Sequence, residues 1–154
     1  MYKQLIIIRK DLLMSTGKIA AQASHAAMAF LTHMIRDNEV GEVLNVGLNP
    51  TNKIRIKTFD IDKDLYDQWL NGSFTKVVCQ AKNRNQLLKA KTMAEEMGMI
   101  EDKDFWLIKD ECRTELEPEE IGEDGIGRTL TCIGFKPMDE ETISKISKKF
   151  QLYK

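Results

Sequence analysis

Lys18, Gln22 and His25 are spaced i, i+4 and i+7 within MSTGKIAAQASHAAMAF (Met14 to Phe30). At about 100° per residue they share one narrow helical stripe with Ala29. The stripe combines a positive charge, an amide that can orient water or a substrate group, and an imidazole that exchanges protons near neutral pH. Around the rest of the helix lie Ile19, Ala20, Ala23, Ala26, Ala27, Met28, Phe30, Leu31 and Met34, interrupted mainly by Ser24 and Thr32. A helix so apolar must be covered on most sides, and its alanines let the covering layer approach the backbone closely. The bland alternatives are a solvent-facing first-turn lysine, a rim glutamine and a hydrogen-bonded packing histidine.

A second chemical cluster is KDECRTE, at the end of the apolar run DFWLIKD. Asp110 there is suited to orienting an ammonium group or accepting a proton, or simply to organising the turn that follows. Arg113 and Arg128 carry planar forks that pair with carboxylate or phosphate, and one of the two is expected to be structural. Cys112 beside Arg113 offers a competing chemistry, a thiol of lowered pKa with His25 as its base.

The elements that must position these residues follow from pattern. KQLIIIR (Lys3 to Arg9) is a continuous apolar run, as in a strand covered on both faces. Ser15 or Thr16 caps a long helix reaching about Arg36. KIRIKTF alternates, as an edge strand or one arm of a hairpin. DKDLYDQWLNG reads as a short helix ending at Gly72, and FTKVVCQA as a second buried strand. NRNQLLKAKTMAEEMGM is an amphipathic helix capped by Asn83 or Asn85, and DFWLIKD a third strand. A polar loop from Glu111 to Gly127 precedes the fourth strand, RTLTCIGF, and Asp139 caps a last helix, EETISKISKKF. This alternation predicts a three-layer α/β/α sandwich with a mixed, mostly parallel sheet of about four strands plus an extra edge strand. Ligands of such sheets gather beyond the carboxyl ends of the strands, where Lys18 and Asp110 could meet.

The 154 residues suit one domain, and 42% hydrophobic with 31% charged residues is a globular composition. No apolar run approaches a membrane span and the start lacks a signal peptide, so a cytoplasmic protein is expected. Three cysteines without CxxC spacing suggest neither a disulfide framework nor a zinc site. A formal charge of −1 excludes binding of nucleic acid by the whole surface, but leaves local patches such as Lys53, Arg55 and Lys57.

Four pieces in order resemble the type 2 peptidyl-tRNA hydrolase family: the first strand ending in Arg9 and Asp11, GKIAAQASHAA, DECRTELEP and RTLTCIGF. The resemblance implies one domain over residues 1–154, with residues 41–58 reading as an insertion. It implies hydrolysis of the ester joining a peptide to the terminal ribose of tRNA, without metal or organic cofactor. The tRNA acceptor end would be the partner, with a homodimer left open. Lys18 matches the family's site lysine, facing an oxyanion or phosphate, and Thr114 and Thr129 match family threonines that donate hydrogen bonds to substrate or to Asp110. Glu111 and Cys112 depart from the family's usual Ala-Gly, and the loop from Pro118 to Arg128 is longer than usual. A noncatalytic RNA- or protein-binding module, or a hydrolase of another small ester or amide, is the rival expectation.

Overall fold

The computed structural model describes residues 1–37, 40–46, 49–56 and 60–154. Strand β1 (Tyr2–Arg9) leads into helix α1 (Thr16–Asp37), followed by β2 (Val40–Val46) and β3 (Asn49–Ile56). A short α2 (Lys63–Leu65) runs into a wide π-helical segment, Tyr66–Ser73. Then come β4 (Lys76–Ala81), α3 (Arg84–Glu96), β5 (Phe105–Asp110), β6 (Glu120–Ile121) and β7 (Gly127–Phe135). The chain closes with β8 (Met138–Asp139), α4 (Glu140–Ser147) and β9 (Gln151–Leu152).

The α/β fold and mixed sheet are as expected, and the four long strands of the main sheet, β1, β4, β5 and β7, are those read from the sequence. The sheet is not mostly parallel, however. Its main order is β5-β7-β1-β4-β9, with short β6 and β8 on β7 and β1, and among the described strands β1 and β4 are the one parallel pair of neighbours. A crossover helix is needed only between parallel neighbours. β5 returns to β7 through a loop, which makes that pair antiparallel. KIRIKTF does not supply an edge strand to this sheet. Its first residues belong to β3, which pairs antiparallel with β2 in a separate two-stranded sheet. The side chains of Lys53, Arg55 and Lys57, and the far end of the expected insertion at residue 58, lie outside the described residues.

Capping chemistry sets the helix ends. Asn83 accepts from the Gln86 N–H, Asp62 from the Leu65 N–H and Asp139 from the Thr142 N–H. Helix α4 stops at Ser147, earlier than the expected Phe150, because the chain turns there to reach β9. Gly98, at φ +81, takes the left-handed conformation that ends α3.

β1 is covered on both faces. Leu5 and Ile7 pack with Leu87 and Ala90 of α3 and Ile143 and Ile146 of α4, whereas Ile6 and Ile8 pack with Ala26 of α1. Further along α1, Ala29 and Phe30 join Leu65, Trp69 and Trp106. Trp69 and Trp106, like Phe135 on the other face, are core residues. Helix α1 is seated tightly on the sheet at Gly134, where an added Cβ would lie 2.4 Å from the Ala26 carbonyl oxygen. That distance is impossible without moving helix or strand. Gly134→Ala is therefore expected to destabilise the protein by about 1–3 kcal/mol, read as a lower urea midpoint with an unchanged slope.

Candidate functional site

β1, β4 and β5 run in the same sense, since β7 is antiparallel to both β1 and β5. The β1–α1 loop and the end of β5 therefore emerge at one edge. There Ser15 caps α1, its Oγ accepting from the Lys18 N–H at 3.2 Å. Glu115, in the loop after β5, accepts the Ser15 N–H at 2.8 Å and its hydroxyl at 2.6 Å. The loop is thus clamped onto the first turn of the helix.

This clamp brings Lys18, Asp110 and Thr114 together. Lys18 Nζ lies 2.9 and 2.8 Å from the two Asp110 oxygens and donates to Thr114 Oγ1 at 3.1 Å. Asp110 also accepts from Gln22 Nε2 at 2.8 Å and from the Cys112 N–H at 2.9 Å. The Lys18 and Asp110 side chains are only 12% and 13% exposed. Burial pushes the Asp110 carboxyl up, but the hydrogen bonds and charge of Lys18, with those of Cys112 N–H and Gln22, outweigh it and hold the group below the usual carboxylate range. A carboxylate so held is a poor proton acceptor and a good orienting group.

Gln22 is itself fixed from below. It is 2% exposed, and its Oε1 accepts from Thr131 Oγ1 at 2.5 Å. Thr131 faces α1 because the β5–β7 register slips here, with Ile108 opposite Cys132 but Lys109 opposite Leu130. The extra residue of this bulge is turned out of strict alternation. Period-2 reading of RTLTCIGF could not reveal this, and Thr131 had no other sequence signal.

A cleft of about 650 Å³ opens beside the cluster, walled by Lys18, Gln22, His25, Ala29 and His33 of α1 and by Leu107 to Glu111. His25 is exposed on that wall, one stripe position onward. Seven residues at 1.5 Å rise put it roughly 10 Å from Lys18 along the axis. Arg113 also lines the cleft, exposed and paired with Glu111 at 2.7 Å. Among the described residues no group of three or more His, Cys, Asp or Glu could hold a metal ion, and no helix is long and apolar enough to cross a membrane.

Thr129 is placed differently. It is fully buried opposite Asp110 in the ladder, donating to the Glu117 carbonyl at 2.6 Å and accepting from the Glu119 N–H at 3.1 Å. Arg128 spends its fork on Asp124 at 2.9 and 2.6 Å. Cys112 Sγ sits 3.4 Å from Thr129 Oγ1 and packs with the cluster around Met14 and Leu116. It is not among the described residues lining the cleft. Its φ of +55 is the left-handed conformation that glycine adopts without strain.

The returning loop has a buried anchor, Arg9, whose loop partner Glu119 the sequence did not single out. Arg9, 3% exposed, donates to both oxygens of Asp11 at 3.1 and 2.7 Å, to both oxygens of Glu119 at 2.7 Å, and to the Leu130 carbonyl at 2.9 Å. Burial works against its charge, but the bonds to Asp11 and Glu119 prevail and raise its pKa. Glu119 lies 110 residues along the chain from Arg9, so only the folded loop shows their partnership.

Two outcomes are expected. Because the Asp110 pKa is lowered on folding, its stabilising contribution is in place above about pH 4 and is lost as pH falls through the lower folded value. A carboxyl NMR titration should show that low value in the parent protein and a raised one in Lys18→Ala. Thr131→Val, which leaves Gln22 Oε1 buried without its donor, should cost about 1–3 kcal/mol in denaturant unfolding.

Residues 2–153 match the model of the family described as peptidyl-tRNA hydrolase PTH2. The chain is also similar to proteins named peptidyl-tRNA hydrolase. It is 29% identical to that of Thermoplasma acidophilum over 97% of both chains. It is 32% identical to that of Methanopyrus kandleri over 96% of this chain and 94% of the other. With that of Saccharolobus solfataricus the identity is 26% over 99% of both. With its helix motif, its clamped DECRTELEP loop and a match along nearly its whole length, this chain belongs to the peptidyl-tRNA hydrolase PTH2 family.

Proposed function

We propose that the protein hydrolyses the ester of peptidyl-tRNA, releasing peptide and tRNA, in the cytoplasm where translation takes place. The observation that carries this reading is the Lys18 ammonium, held between Asp110 and Thr114 at the mouth of the cleft. With two of its three protons engaged, Lys18 has one left to aim at an ester carbonyl oxygen as negative charge develops there. Asp110 and Gln22 fix the lysine and, with the Thr114 hydroxyl, border the space an attacking water would fill. Water adds to the carbonyl carbon, the ester C–O bond breaks, and the ribose hydroxyl leaves with a proton.

The remaining candidates take other parts. His25, about two helical turns from Lys18, belongs to substrate binding along the cleft. Arg113 serves phosphate contact, since it lines the cleft and Arg128, held by Asp124, is not among the described residues that do. Thr129 and Arg128 hold the loop that presents Asp110 and Thr114. A thiol nucleophile at Cys112 is disfavoured because its sulfur faces Thr129 and the apolar cluster.

Release of tRNA from purified peptidyl-tRNA tests the reading directly. Lys18→Ala should fold normally and lower kcat about a hundredfold, the scale of one lost oxyanion contact, whereas His25→Ala should act mainly on KM. Cys112→Gly should retain hydrolysis. Binding of tRNA should weaken steeply between 50 and 200 mM salt if phosphates are held by local cations. Salt-sensitive binding without ester cleavage by the parent protein or Cys112→Gly would instead favour a noncatalytic module.

A further inference from the structure

β5 ends the sheet on its side, and β7 is its one strand partner among the described residues. Successive residues of a strand turn their N–H and C=O to opposite edges. The Phe105 carbonyl accepts from the Asp102 N–H at 2.9 Å, so Phe105 turns its polar groups away from β7 and into the turn at Glu101–Asp102. Leu107 and Lys109 share that outward direction. Thr131 Oγ1, 3.1 Å from the Ile108 carbonyl, agrees that Ile108 faces β7. No described residue bonds the outward main-chain groups of Leu107 and Lys109, and both residues line the 650 Å³ cleft. Their side chains do not cover this edge. Leu107 packs into the cluster of Phe105 and Leu130, and Lys109 pairs with Glu120 at 2.5 Å.

We propose that this open edge binds the peptide of the substrate as an added parallel strand, recognised through its main chain. The inference rests on the hydrolase reading above, and covalent geometry selects the occupant. An ester cleaved beside Lys18 and Asp110 places the peptide's C-terminal residue at the carboxyl end of β5, so a peptide lying along the cleft runs in the same sense as β5. In a parallel pair, one residue bonds the two neighbours of the residue it faces. The peptide residue facing Ile108 therefore donates its N–H to the Leu107 carbonyl and accepts from the Lys109 N–H. With the C-terminal residue facing Asp110, this is the third residue from the ester. Upstream, the edge is closed at Phe105 by the Glu101–Asp102 turn, which limits the paired stretch to about four residues. Binding by backbone leaves side-chain identity free, which suits a substrate whose peptide varies.

The test uses the wild-type protein and three esters on one tRNA: N-acetyl-trialanyl, the same with a methyl on the amide nitrogen of the third alanine from the ester, and the same with a methyl on that of the second. The first methyl removes the N–H aimed at Leu107, and kcat/KM should fall about fivefold or more. The second sits on a nitrogen facing away from β5 and should change kcat/KM less than twofold. As a protein-side check, Lys109→Pro removes the outward N–H and should lower kcat/KM on the unmethylated ester about fivefold relative to Lys109→Ala. If Lys109→Pro does not fold, the ester series on the parent protein decides. Equal rates for all three esters would leave the hydrolase reading intact and overturn the edge pairing, as would a larger effect of the second methyl. Release from none of them would remove both. Protection of the Leu107 and Lys109 amides from hydrogen exchange by deacylated tRNA alone would assign the edge to the nucleic acid instead, and would equally overturn it.

Discussion

The close seating of α1 on β7 governs the rest of the molecule. Gly134 has no side chain and α1 presents alanines, so the Ala26 carbonyl lies where any Cβ at Gly134 would be. Were the helix pushed outward by even a methyl group, Gln22 would leave Thr131 and Lys18 would leave Asp110. Both bonds are at 2.5–2.9 Å, with no slack to absorb such a shift. Packing of the smallest residues thus sets the reach of the polar ones.

The polar centre is built downward in layers. Lys18 is held by Asp110, Asp110 by Gln22 and the Cys112 N–H, and Gln22 by Thr131 on the bulge. Within this centre Lys18, Asp110, Gln22 and Thr131 are all hydrogen-bonded, as a low-dielectric surrounding requires. A second system, Arg9 with Asp11 and Glu119, secures the far limb of the loop that carries Asp110 and Thr114, while Glu115 secures the near limb on Ser15. Between these anchors Cys112 is held in a left-handed conformation with its N–H on Asp110. The backbone geometry there is that of a glycine turn, retained with a thiol that fills space below it.

The cleft and the open edge of β5 belong to one design. The sheet ends where the Lys18–Asp110 cluster begins, so the strand that delivers Asp110 also presents, beside it, main-chain groups that no described residue pairs. Exposed edges invite pairing with other chains, and proteins commonly blunt them. Here the Glu101–Asp102 turn blunts the start, at Phe105, and no described residue pairs the outward groups of Leu107 and Lys109 within the cleft.

Local physics made much of this legible in the sequence. Helical periodicity put Lys18, Gln22 and His25 on one stripe, the isoleucine run marked a strand covered on both faces, and Asn83 and Asp139 announced their helices, because each depends on neighbours within a few residues. Long-range partnership is of another kind. That β7 and β5 run antiparallel, that a register slip turns Thr131 toward Gln22, that Thr129 serves the loop, and that Arg9 takes Glu119 while Arg128 takes Asp124 all depend on where distant segments come to rest. A strand's own pattern is the same for either direction of its neighbour, and an arginine's fork fits any carboxylate within reach. Composition and spacing therefore determined which groups were available for chemistry, and tertiary packing decided which of them met.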